Sequence, residues 1–483
     1  MKNIALTCRY YIELALIVST AIFAFFAFSS LSIYWVQAPY DAWRIYEIFI
    51  LLILSTFFIF YRGRSLSIFP IRSRHWMNNG LILLTVLIIL SCYFAQHTQR
   101  AIADASLYFL LAVSVLTQAI IFKKHPLWTA NTAGWLAVLP MLSLIFLPIA
   151  LFDIWNERPG TWTQSFTNIR MLDDALLPCL FLLWMRPAWL APNPARSTLF
   201  NLIISSAVFI ISTIYLLSFL FHGARAGLLS IVIALATLMI GRLISWKMLK
   251  LPSLSLVAAF SFFYWFTVQS IQPVGGSTIT RTGSSGRVEL WQKAFHLWTE
   301  HPIWGIGGNN FSFYSPNLIS AHPHNIFIQW LVEWGIAGLL AFGLLLPVAY
   351  IFLKNYKKIH PFILAAIIAL VINAMLSGSL IYPVSQLLSL YPLAWALAQL
   401  SDHISTTPSI FNPRIKPNFN FLLKSIIFIA MVSLLVVHIQ DLACLNCISI
   451  DGYGAPRFWD AGRALHLTPF DDLERVVKLP TEY

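Results

Sequence analysis

Charge is what this chain has least of. Only 10% of its 483 residues are Asp, Glu, Lys or Arg, while 58% are hydrophobic. Soluble domains carry about 25% charged residues. So few polar groups cannot cover so much apolar side chain, and a water-soluble fold is excluded; lipid is the natural solvent for the excess. Cysteine is scarce as well, with five in all. Cys8, Cys92 and Cys179 lie in or beside apolar runs and read as packing residues. Cys444 and Cys447 form a single C-x-x-C with no second pair, a weak zinc signal. An oxidising compartment would make them a disulfide. The chain also lacks internal repeats, heptads and low-complexity segments.

What it has is apolar runs. Thirteen segments approach the roughly 20 residues that a membrane span requires. They cover 11–36, 45–61, 79–95, 104–122, 127–153, 174–192, 199–221, 226–243, 251–268, 326–353, 361–380, 384–400 and 420–440. The first is too long for the core of a signal peptide and lacks a small-residue cleavage site, so it reads as a retained span. The expected fold class is all-α: a polytopic transmembrane helical bundle of 12 to 13 spans.

The net charge is +12. In a soluble protein that would suggest nucleic acid; here it is a topology signal. With the N-terminus in the cytoplasm and the sides alternating, the inner loops collect 19 of the 31 basic residues. They include Arg62, Arg64, Arg72 and Arg74, then Lys123 and Lys124, and later Lys354, Lys357 and Lys358. A wrong span count would break this alternation partway along. The sequence therefore divides into a membrane domain, 1–440, and an outer tail, 441–483. The tail pattern PRFWDAGRALHLTPFDDLERVVKL suggests short helices.

The outer loops hold the residues with chemistry. Positive-inside bias should deplete that face of arginine, yet Arg170, Arg225, Arg281 and Arg287 fall there. For Arg281 a headgroup anchor is the simpler reading. Arg170 has Asp173 and Asp174 as natural partners. Arg225 opens a span within HGARAGLLS, among small residues that let a bulky ligand approach. Its planar fork beside helical N–H groups suits phosphate. Arg287 begins GRVELWQKAFHLW, where Val288, Trp291, Ala294, Phe295 and Trp298 recur at helical spacing. This is an amphipathic helix expected to lie flat at the interface, in the long outer loop 268–324. Gly305, Gly307 and Gly308 mark a tight turn whose simplest reading is structural. His324 and Asn325 stand where that loop enters the next span. Asn325, Gln329 and Glu333, four apart, form a polar stripe down an otherwise apolar helix. A carboxylate there faces a cavity or a partner helix.

These motifs resemble a known family. His324-Asn325, nine residues, then Gly335-Ile336-Ala337-Gly338 is similar to the signature of bacterial O-antigen ligases. That superfamily also holds O-antigen polymerases and protein O-oligosaccharyltransferases. SGRVELWQKAFHLWTEHPIWGIGGNNF resembles its arginine and Gly-x-Gly block, and HGARAGLLS its outer arginine turn. The resemblance is close over about 220–345 and topological elsewhere. It implies a glycan transferase of the bacterial inner membrane, working on the periplasmic face. The donor would be an undecaprenyl-diphosphate-linked glycan. The acceptor would be a hydroxyl of lipid A core or of a pilin or secreted protein, with O-antigen polymerisation as the alternative. Arg225 and Arg287 would hold the diphosphate, and His324 would act as base or orient the acceptor; Arg170, Asn325, Gln329 and Glu333 could support them. No cofactor and no metal is implied, since no outer Asp-x-Asp is present. A transporter, the remaining alternative, often shows inverted repeats and broken helices deep in the membrane; neither is expected from the sequence, and the polar groups cluster at one face instead of the midplane.

Overall fold

The computed structural model describes residues 2–29, 39–61, 71–156, 166, 168–269, 286–314, 322–404, 417–443, 447–449 and 467–469. The expected spans all appear as helices. They are α1 (Lys2–Phe28), α2 (Pro39–Phe60), α3 (Ile71–Phe94) and α4 (Thr98–Lys124). The fifth span is broken into α5 (Pro126–Val138), α6 (Met141–Leu144) and α7 (Leu147–Trp155) around Pro140 and Pro148, neither of which supplies a backbone N–H. Then come α8 (Ile169–Met185), α9 (Thr198–Phe221), α10 (Arg225–Ile240) and α11 (Trp246–Gln269). The amphipathic α12 (Arg287–Glu300) follows. The next span is split at Gly335 into α13 (Ile326–Trp334) and α14 (Ile336–Asn355). α15 (Pro361–Ala374), α16 (Pro383–Ile404) and α17 (Pro417–Ala443) complete the bundle.

Among the described residues, eight helical segments are long and apolar enough to cross a membrane. Shorter apolar helices cover 79–94, 225–240 and 361–374. α8 is the hub: every residue from Met171 to Trp184 is buried, as expected of a helix with protein on all sides. By contrast α11, α14 and α17 expose large apolar side chains such as Tyr264, Leu346 and Phe428, the pattern of a lipid-facing rim.

Side-chain contacts define two ends. At one end lie Lys124 and His125, both against Glu13, and Lys123, which reaches the carbonyl of Ser401. At the other lie the α3–α4, α7–α8, α9–α10 and α15–α16 corners, with α12 and the loops around it. Two of the basic loops on which the expected alternation rests, 62–70 and 405–416, lie outside the described residues. Beyond α17 the described part of the tail is a pair of short antiparallel strands, β1 (Cys447–Ser449) and β2 (Leu467–Pro469), and most of the stretch expected to form short helices lies outside the described residues. Cys444 lies outside the described residues, as do Arg281 and the loop around it.

Candidate active site

His324 stands in a four-residue loop, His322 to Asn325, in which each residue is fixed separately. The Asn325 side chain accepts from the backbone N–H groups of Phe327 and Ile328 at 3.0 and 3.1 Å, capping α13. The carbonyl of Pro323 accepts from the indole Nε1 of Trp291 on α12 at 2.8 Å. The backbone N–H of His324 donates to His322 Nδ1 at 3.1 Å. His324 itself has φ +53°, the left-handed region that a side chain enters at a cost of about 1–2 kcal/mol. Its ring packs edge-to-face on His322, centroids 4.2 Å apart. Burial, and then the charge of Arg287, push its pKa down to about 4, so the imidazole is neutral at physiological pH.

Arg287 opens α12 just after Gly286, which has φ +75°. Its pKa is lowered by burial first, then by the charges of Arg170 and Arg225; Asp174 and Tyr382 oppose the shift. The structure thus brings Arg170, Arg225 and His324 each within electrostatic range of Arg287, although the four come from separate segments. α12 is seated by Leu290, Ala294 and Leu297, which pack with Ile306, Phe311 and Val332. The inward face is therefore rotated from the expected one: Val288 and Phe295 are 46% and 45% exposed, while Trp291 and Trp298 flank the contact.

Arg225 is aimed by the turn before it. His222 Nδ1 lies 2.7 Å from Asp173 Oδ1 of α8 and 3.3 Å from Ser218 Oγ. The N–H of Ala224 donates to the Phe219 carbonyl at 2.8 Å, closing the turn. Gly227 has a packing role that sequence reading missed: a Cβ there would meet the Phe219 ring at 2.7 Å. The expected pairing of Arg170 with Asp173 is present but loose, at 3.7 Å. Asp174 turns instead to Asn373 and Ser377, at 2.6 and 2.8 Å.

The polar stripe separates into different jobs. Asn325 is a helix cap. Gln329 and Glu333 are fully buried, and neither is among the charged groups that shift His324 or Arg287. Among the described residues the Gln329 amide has no protein hydrogen-bond partner. The glycines are structural. Gly307 N–H donates to the Glu333 carbonyl at 2.8 Å and Ile336 N–H to the Ile303 carbonyl at 3.0 Å. Gly335, at φ +54°, has its would-be Cβ 2.4 Å from the Ile303 carbonyl oxygen, so only glycine fits. The Gly-x-x-Gly part of the sequence signature is thus a close backbone packing of the 303–308 turn against α13 and α14. Among the described residues, no group of three or more His, Cys, Asp or Glu is arranged to hold a metal ion.

Sequence reading missed Tyr382, His322 and the Asp173–His222 pair, and it assigned Asp174 to Arg170 where the structure gives it Asn373 and Ser377. Tyr382 sits nearly sixty residues past His324 in the α15–α16 corner, its hydroxyl 3.3 Å from His322 Nε2. Nothing in its local sequence separates it from other tyrosines at span ends. His322 carried a faint signal, as the other histidine of the AHPHN run.

The described part of the chain is a multi-pass helical membrane protein. Comparison with known proteins supports a family likeness. Residues 207–343 match the family model described as O-antigen ligase. The chain is also similar to the Rickettsia prowazekii (strain Madrid E) protein named "Putative polysaccharide ligase". The two are 25% identical over 298 residues, 58% of this chain and 68% of that one. The matched family region contains Arg225, Arg287 and His324.

Proposed function

We propose that this protein transfers an oligosaccharide from an undecaprenyl-diphosphate carrier to an acceptor hydroxyl, at the periplasmic face of the bacterial inner membrane. The observation that carries the reading is the mutual repulsion at Arg287. Burial lowers its pKa first, and the charges of Arg170 and Arg225 lower it further, with Asp174 and Tyr382 opposing only in part. A diphosphate with two negative charges would relieve that repulsion, and guanidinium forks match its oxygens.

In the reaction, the acceptor oxygen forms a bond to the anomeric carbon of the glycan. The bond from that carbon to the diphosphate oxygen breaks, and undecaprenyl diphosphate leaves with the electron pair. Arg225 and Arg287 stabilise the charge that grows on the leaving group. His324, neutral and partly buried beside them, accepts the proton released by the acceptor hydroxyl. A pKa near 4 makes the unliganded imidazole a weak base. The bound anion would raise it, so the base is strengthened once the donor is in place. The lipid diphosphate is itself the activated leaving group, so no nucleotide and no metal is needed; EDTA should leave transfer intact.

Deletion of the gene in its host tests the assignment. Lipopolysaccharide without its polymer marks a lipid A core ligase, and a pilin or secreted protein that loses mass marks a protein transferase. Lipopolysaccharide capped by a single repeat unit marks a polymerase instead. If all three glycoconjugates are unchanged, the reading is wrong.

A further inference from the structure

We infer that His322, held by Tyr382, is a positioning residue that fixes the backbone of His324 for reaction. The inference rests on His324 being the proton acceptor of the proposed transfer. The first observation is conformational. His324 holds φ +53°, and a side chain remains in that region only where its surroundings impose it. The local hydrogen bond available to impose it runs from the His324 N–H to His322 Nδ1, at 3.1 Å.

That bond dictates the state of His322. A nitrogen that accepts from an N–H carries no proton of its own, so Nδ1 is bare and the ring is neutral with its proton on Nε2. The Tyr382 hydroxyl lies 3.3 Å from Nε2, placed to accept that proton's hydrogen bond. The tautomer is therefore chosen from one side of the ring and used on the other. His322 is 1% exposed and so is shielded from substrate, whereas His324 is only partly buried.

Tyr382 is in turn held by an arrangement that reaches into the bundle core. Its ring lies against Gly378, where a Cβ would come within 2.5 Å of it. The carbonyl of Ile381, next to it in the chain, accepts from Arg44 Nη2 at 2.7 Å. Arg44 is fully buried beside Glu47 and also donates to Gln386 at 2.8 Å. Gln386 donates to the carbonyl of Leu380 at 2.8 Å. A buried charge pair is a costly way to anchor a corner, and here it anchors the one that presents Tyr382.

The test separates the two ends of the His322 ring. An asparagine oxygen can replace Nδ1 as acceptor; a glutamine amide can replace only the Nε2 donor. Membranes of the deletion host supply both donor and acceptor, and release of undecaprenyl diphosphate is followed after adding the full-length variant in proteoliposomes. Farnesyl diphosphate serves as a separate binding probe in detergent. His322→Ala should slow turnover about 100-fold, the scale of a misplaced catalytic group, with farnesyl diphosphate affinity within about twofold of wild type. His322→Asn should recover turnover to within about 10-fold of wild type, and His322→Gln should not. Tyr382→Phe should cost about 3- to 10-fold, one neutral hydrogen bond. Wild-type turnover by His322→Ala, recovery by Gln equal to that by Asn, or loss of farnesyl diphosphate affinity in step with turnover would each overturn the proposal. His324→Ala separates this from the functional reading. If that variant still transfers, both fall; if it does not, while His322→Ala turns over normally, only the positioning role falls.

Discussion

At one end of the bundle, an arginine, a lysine and a histidine surround a carboxylate; at the other, two arginines lie close enough to a third to lower its pKa. Glu13, buried near the start of α1, takes Lys124 at 2.7 Å, His125 at 2.8 Å and Arg9 at 3.1 Å. At the site end the two nearby carboxylates make their short contacts elsewhere, although Asp173 also meets Arg170 at 3.7 Å. Asp173 faces His222, and Asp174 faces Asn373 and Ser377. Burial first, then the charges of Arg170 and Arg225, lower the affinity of Arg287 for its proton, while Asp174 and Tyr382 oppose the shift. Charge at Glu13 is met by short ion pairs, whereas at the candidate site arginines converge on one another. The two ends carry the same residue types, and partner geometry alone separates them.

The largest expected effect is at His324. His324→Ala should lower transfer about 10²- to 10⁴-fold, the range of a general base, with membrane insertion unchanged. Full transfer by that variant in proteoliposomes would remove the histidine from the mechanism. Next come Arg225→Lys and Arg287→Lys. Each keeps the charge and loses the fork, at about 1.5–3 kcal/mol, or about 10- to 150-fold in transfer. Wild-type rates would show that the arginines act as general positive field only. Gly335→Ala forces a side chain into φ +54° and against the Ile303 carbonyl. It should cost about 2–3 kcal/mol of stability, read as a lower midpoint of thermal unfolding in detergent.

Donor affinity should also depend on pH through His324. Its pKa is lowered to about 4 in the unliganded protein, and the diphosphate would raise it. Binding then takes up a proton, so affinity for the lipid-linked donor should strengthen as pH falls from 7 towards 5. The limit for one proton is tenfold per pH unit. The diphosphate diester of the donor does not itself titrate in this window. The slope should vanish in His324→Ala, and a slope that persists there would assign the proton to another group. The smallest effect on transfer is expected at the opposite end. Glu13→Gln should cost about 1 kcal/mol of stability, since its partners Arg9 and Lys124 are partly exposed and screened. Transfer should be unchanged. A large loss of transfer would mean that the two ends are coupled.

Much of this arrangement was legible in the residue order, because it follows from local rules. Apolar run length set the helices, the alternation of basic loops set which corners share an end, and the excess of arginine on one side singled out Arg225 and Arg287. The amphipathic α12 was visible too, but its inward face was not. Helical periodicity fixes which residues share a face; which face is buried depends on what packs there, here Ile306, Phe311 and Val332. Spacing placed Asn325, Gln329 and Glu333 on one stripe, although Asn325 spends its side chain on capping α13.

Tertiary structure alone decided how four separate segments converge. Neither the Tyr382–His322 contact nor the Asp173–His222 pair could be inferred from spacing, since each joins corners made adjacent only by helix packing. The left-handed backbone of His324 belongs to the same class, because a local sequence does not fix a strained φ without the contacts that hold it. What the sequence determined by itself was the solvent, the topology and the residue types, since these depend on hydropathy and charge along the chain. Which arginines were left to one another, and which histidine was set against them, was decided by the fold, since partnering depends on distance in space.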